Sequence, residues 1–72
     1  MINARDIFRR NLSYYMSMRH VTQGDIVKAL GLSQSTVSDW CTGKGYPRPE
    51  KMQRLADYLR VTMTDLTDDK NH

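Results

Sequence analysis

The chain is poor in the residues that build covalent or metal-held frameworks. It has 72 residues and one cysteine, Cys41, so an internal disulfide is excluded. Its two histidines, His20 and His72, stand 52 positions apart, which excludes a Cys/His metal cluster of ordinary spacing. No run of about 18 apolar residues exists, so no transmembrane helix is expected. No apolar stretch follows the first charges, so no signal peptide is expected either. A cytoplasmic setting is the expectation. There is one Phe, one Trp and two Pro. No glycine loop has the phosphate-cradling P-loop pattern. No candidate nucleophile has a base beside it, and no carboxylate pair has a credible pocket. An enzyme is therefore not expected, nor a cofactor, a metal or a small-molecule substrate.

What remains suits one small helical domain. A chain of this length buries only about 60% of its unfolded surface, and 39% hydrophobic residues suffice for a helical core. The net charge is +3 and is unevenly placed. Residues 1–54 hold nine Lys/Arg against four acids, and residues 55–72 hold two against four. A positive field over the first three quarters is the footprint expected of a phosphate-binding surface. A mildly basic solvated exterior is the bland alternative.

The most informative stretch runs from Thr22 to Gly43. Thr22 with Asp25 forms a capping-box pattern, and Ile26, Val27 and Leu30 follow at helical spacing. Gly31 sits where a helix ends and the chain needs positive φ. Leu32 is an apolar plug and Ser33 a second N-cap. Val37, Trp40 and Cys41 fall at i, i+3 and i+4, so one face of the second helix is buried. Gly43 closes it. At about 100° per residue, Ser35, Ser38, Asp39 and Thr42 point away from Val37 and Trp40. Gln34 projects from the open N-terminal end. Short hydrogen-bonding groups can approach base edges closely. Gln bonds adenine N6/N7 bidentately, and Ser or Thr meets either partner. Asp39 has two readings, as an acceptor from cytosine N4 or as a charge that repels phosphates in the wrong register.

These residues resemble the helix-turn-helix of the lambda-repressor/Cro class, also called XRE-like. Gln23, Ile26, Leu30-Gly31-Leu32, Val37 and Trp40 carry the resemblance. Thr42-Gly43-Lys44, Pro47, Leu55 to Leu59, Val61-Thr62 and Asp65-Leu66 extend it over residues 4 to 67. It implies an all-α, compact five-helix domain over residues 1–67, with the helix-turn-helix at helices 2 and 3. It also implies base contacts from Gln34, Ser35, Ser38 and Asp39. Backbone contacts are expected from Thr22, Gln23, Thr42, Lys44, Tyr46 and Arg48, with Gln23 bracing Gln34. Three positions depart from the usual pattern. Val27 stands for Ala, Cys41 for Glu, and Arg60 for a Gly whose place is commonly αL.

The flanking segments fit the same plan. Helix 1 is expected over 4–18, capped by Asn3, with Phe8, Leu12 and Tyr15 inward and Ile7 and Met16 beside them. Its arginines read either as a solvated face or, for Arg10 and Arg19, as DNA backbone contacts. His20 reads as a loop residue. The loop Lys44–Pro49 is rigid and turn-rich, and is expected to ride on the sugar-phosphate backbone. Pro49 opens helix 4, whose inward stripe is Met52, Leu55, Ala56 and Leu59, leaving Lys51 and Arg54 solvated. Thr62 caps a brief helix 5. There Met63 and Leu66 read either as a dimer contact or as domestic packing. Residues 68–72 read as a frayed polar tail, or the start of a linker to a further C-terminal domain.

The function so implied is sequence-specific binding of double-stranded DNA. The expected role is a transcriptional repressor of phage or mobile-element type. It would read a two-fold symmetric operator as a homodimer, with helix 3 in the major groove. The alternative is a protein-interaction module on the same fold, such as an antitoxin or anti-repressor.

Overall fold

Local signals set where each helix begins and ends. The computed structural model describes residues 3–69 and contains α1 (Ala4–Arg19), α2 (Gln23–Leu30), α3 (Gln34–Thr42), α4 (Pro49–Leu59) and α5 (Met63–Thr67). Asn3 caps α1 by accepting from the Asp6 N–H at 3.0 Å. Thr22 and Thr62 each head a complete capping box, with Asp25 and Asp65 answering at the third position. Ser33 caps α3 through the Thr36 N–H at 3.1 Å. α4 has no side-chain cap at Arg48 and starts instead on Pro49, whose ring presets helical φ.

Four helices end in a left-handed residue: His20 (φ 56°), Gly31 (φ 66°), Gly43 (φ 84°) and Arg60 (φ 61°). Glycine takes this conformation freely, whereas His20 and Arg60 do so at a cost of about 1–2 kcal/mol each. The expected strain at Arg60 is thus present. His20 is more than a loop residue, because its N–H closes α1 on the Met16 and Ser17 carbonyls.

The core is one cluster drawn from every helix. Phe8, Leu12, Ile26, Leu30, Val37, Trp40, Met52, Leu55, Ala56, Leu59 and Leu66 are all buried. α1 packs on α3, α4 and α5, while α2 packs on α3 and α4. The Cα radius of gyration is 10.9 Å, close to the roughly 11 Å expected for a compact domain of this length. Phe8 has a particular place here. Its ring meets Trp40 edge-on at 6.4 Å and Tyr46 at 5.5 Å. One side chain of α1 therefore seats both α3 and the loop that follows it.

Polar side chains bind the helices together at their carbonyl ends. Asn11, fully buried, donates to the Leu66 carbonyl at 3.0 Å and the Asp68 carbonyl at 2.7 Å. Arg19 donates to the Leu59 carbonyl at 3.0 Å and the Arg60 carbonyl at 3.4 Å. Arg54 donates to the Leu30 carbonyl at 3.1 Å. Carbonyls at the ends of α5, α4 and α2 thereby gain partners from another helix, which their own helix cannot supply. Arg54 is accordingly not a merely solvated charge. The expected fraying from residue 68 is also corrected at its start, since Asn11 holds Asp68 and Arg10 pairs with Asp69 at 3.2 Å. Residues 70–72 of that tail lie outside the described residues.

Candidate nucleic-acid interface

The two helices of the motif are joined by a chain of local bonds. Gly31 ends α2 with its N–H on the Val27 carbonyl, and the Leu32 N–H reaches the same oxygen at 3.1 Å. Leu32 packs on the core. Two residues later α3 begins, its inner side fixed by Val37 and Trp40. Burying those two leaves Gln34 and Ser35 exposed, with Ser38 and Asp39 half-exposed beside them.

The first turn of α3 is preorganised. Gln34 Nε2 donates to Gln23 Oε1 at 2.7 Å. Gln23 is the first residue of α2, so this bond ties the open ends of both helices. It fixes which way the Gln34 amide faces: one N–H is engaged, while the amide oxygen and the second N–H remain for a ligand. The first N–H groups of α2 also present a positive dipole end beside it. Thr22 is exposed there, with its N–H held by Asp25 Oδ2 at 2.9 Å. That bond, foremost, holds the Asp25 carboxyl below its ordinary pKa.

The loop continues the same surface. The Asp39 carbonyl gathers the N–H groups of Gly43, Lys44 (2.9 Å) and Gly45 (3.1 Å), which folds the chain tightly over the end of α3. Gly45 eases that closeness. A Cβ there would stand 3.2 Å from Asp39 Cβ and 3.4 Å from Trp40 Cδ1. Pro47 is buried and anchors the loop from within. Tyr46, Pro47, Pro49, Met52, Met63 and Thr67 line a small apolar cavity of about 100 Å³ beneath it. Lys44 and Arg48 are exposed on either side. Tyr46 is 43% exposed, its ring held on Phe8.

Several expected contacts are placed differently. Thr42 is exposed, but its hydroxyl donates back to the Ser38 carbonyl at 3.0 Å, leaving it an acceptor toward solvent. Arg19 is exposed, and its Nε and Nη2 are engaged with the carbonyl end of α4, so it ties α1 to α4. Leu66 is wholly buried in its own core and has no surface for a second subunit. Met63 is half-exposed and packs on the core. Cys41 lies with its Sγ 3.9 Å from Met16 Sδ, and burial pushes its thiol pKa up, as befits packing. Arg9 is one of the helix 1 arginines that the sequence reads as a solvated face. The fold places it over Gly43, with Arg9 Cδ 3.3 Å from where a Cβ would stand. Only a glycine gap in a distant turn could have signalled this.

A capped helix pair with a rigid Gly turn, a polar outward face, and a cationic loop beside it defines a DNA-binding domain of the helix-turn-helix class. The comparisons place it further: residues 14–66 match the family described as Helix-turn-helix, and the chain belongs to that family, of XRE type. It is a DNA-binding domain of the kind found in transcription regulators. Over 59 residues it is 29% identical to the HTH-type transcriptional activator BcrR of Enterococcus faecalis, covering 82% of this chain and 29% of that protein. The chain thus spans less than a third of that curated relative's length. The solution structure of the SOS-response transcriptional repressor LexA from Eubacterium rectale matches with a TM-score of 0.88 at 38% identity. The match covers 99% of this chain and 78% of that one.

Proposed function

We propose that this domain binds a specific double-stranded operator through α3 in the major groove and represses transcription by occlusion. The observation that carries the reading is the 2.7 Å bond from Gln34 to Gln23 at the exposed start of α3. It presents a fixed amide where base readout needs one. Gln34, Ser35 and Ser38 read base edges, and Asp39 limits register. Thr22, Gln23, Lys44, Tyr46 and Arg48 hold the phosphates. Repression is favoured by the likeness to the solution structure of a transcriptional repressor, at higher identity and coverage than the activator. Binding as a two-fold dimer, through the surface around Met63, follows from the way such heads read half-sites about one helical turn apart. An origin in a phage or mobile element fits the resemblance to the lambda-repressor/Cro class.

Exposed apolar side chains on α1 favour a second reading, a protein-interaction module. Met18 is 53% exposed and Tyr14 38%. Selection of bound sequences from a random duplex pool at about physiological salt separates the two. A two-fold symmetric site supports the repressor dimer, and a single half-site supports a monomeric head. Bulk, salt-sensitive binding without enrichment would overturn specific readout and favour the protein partner.

A further inference from the structure

Basic residues of α1 that the helix-turn-helix does not use gather beside it. Arg9, Arg10, Ser13 and Tyr14 line an open recess of about 290 Å³. Two guanidiniums with the Ser13 hydroxyl beside them form a donor set suited to a phosphate oxygen cluster, with Tyr14 as a wall. The recess adjoins the proposed DNA surface, because Arg9 overhangs Gly43 at the end of α3, one residue from Lys44. Asp6 shares that corner, its Oδ1 3.6 Å from the same Gly43 position.

An internal anion already holds one of these guanidiniums. Arg10 Nη2 donates to Asp69 Oδ1 at 3.2 Å. The placement is not a chance encounter of two long side chains, since the preceding residue is fixed. Asn11, next to Arg10, is fully buried and holds the Asp68 carbonyl at 2.7 Å. The chain leaving α5 is thus pinned at two adjacent points of α1, and the second point is a carboxylate on a guanidinium. The ion pair itself is open to solvent, with side-chain exposures of 36% and 41%. Such a pair is weak and exchangeable. A phosphate presented at high local density can displace it.

We propose that Arg9, Arg10, Ser13 and Tyr14 form a phosphodiester-binding recess flanking the recognition helix, and that Asp69 occupies Arg10 in its place until DNA displaces it. This rests on the DNA-binding reading above and adds a competitor built into the chain. Releasing Asp69 gives the interface one more cation able to neutralise a phosphate. Each such contact steepens the slope of log affinity against log salt by about 0.9.

The experiment is a salt titration of binding to the selected duplex by wild type, Asp69→Asn, Arg10→Gln, Arg9→Gln and the double variant Arg10→Gln/Asp69→Asn. Asp69→Asn is expected to bind roughly threefold to tenfold tighter at low salt, with about the wild-type slope, because Arg10 meets the phosphate in both complexes, whereas Arg10→Gln should flatten the slope by about one unit. In the Arg10→Gln background the same change should do nothing. Arg9→Gln should flatten the slope by about one unit. Retained melting temperature confirms folding, since the ion pair is exposed. Equal gains from Asp69→Asn with and without Arg10 would mean a general charge effect and overturn the proposal. Unchanged slopes in Arg9→Gln and Arg10→Gln would overturn it too. Lys44→Ala on the same duplex separates the two levels. If Lys44→Ala flattens the slope and these variants do not, the recess fails and the DNA reading stands. If wild type shows no salt-dependent duplex binding, both fail.

Discussion

Gln34 has one N–H engaged by Gln23 at 2.7 Å, and this decides what its replacement should do. Gln34→Ala removes a positioned amide and costs about 1–3 kcal/mol of specific binding, relaxing preference at one base position. Competition against single-position operator variants checks it, and equal loss on random DNA would remove Gln34 from readout. A second residue bears on stability alone. Arg60 sits at φ 61° where its side chain is strained. Arg60→Gly is expected to raise stability by about 0.5–1 kcal/mol, measured by denaturant unfolding. Asp25 supplies a pH dependence. Its carboxyl is held below the ordinary carboxylate value near 4, first by the Thr22 N–H. A depressed folded pKa stabilises the fold above the unfolded value, and that contribution disappears as pH falls through the folded one. Asp25→Ala should therefore unfold more easily than wild type at pH 7, and the difference should shrink below about pH 4. A difference independent of pH would mean the charge is not what matters. The caps and the glycine αL positions were legible in the sequence, because they depend on neighbours three or four places away, whereas the αL place of Arg60 came from family resemblance and that of His20 was missed. The Gln23–Gln34 brace came from family resemblance, since no local rule relates positions eleven apart.

Between helices, the bonds that matter run from a side chain of one to the last carbonyls of another. Asn11 is the strictest case, being 2% exposed with both donors used across α5. Asn11→Leu keeps the branched four-atom shape, though it is bulkier, and leaves two carbonyls short of a donor, so a loss of about 2–3 kcal/mol is expected by chemical denaturation. A neutral result would mean water replaces the amide. These bonds were not readable in advance. On a helical wheel Asn11 merely borders the Phe8–Leu12 stripe, and its partners are 55 and 57 residues away. The helices themselves were readable almost to the residue, because apolar spacing and caps agree at each end. Leu66 shows the limit of that reasoning. An apolar residue on a short terminal helix fits a partner subunit or its own core equally well in one dimension. The packing of α1 against α5 resolves it in favour of the core.

At the scale of the whole molecule, binding is a matter of where positive charge lies around a narrow readout face. The outward side of α3 carries no Lys or Arg, so attraction to DNA must come from its borders. Lys44 and Arg48 flank the loop after α3, and both are exposed. The loop is held rigidly by Phe8 under Tyr46, by buried Pro47 and by the close approach of Gly45 to Asp39. Rigid placement matters because a tethered cation on a mobile loop loses conformational freedom on binding, whereas a preset one does not. If both cations neutralise phosphates, each releases counterions in proportion, and each should contribute about 0.9 to the salt slope. Lys44→Ala and Arg48→Ala are therefore expected to weaken specific and random duplexes alike, each flattening the slope by about one unit. Gln34→Ala should leave the slope intact while changing sequence preference. Base readout and phosphate attraction then separate into two sets of residues on one rigid surface. Fluorescence anisotropy across a salt series reads both quantities at once. A slope unaltered by either loop variant would remove the loop from the interface and transfer the electrostatic role to the arginines of α1.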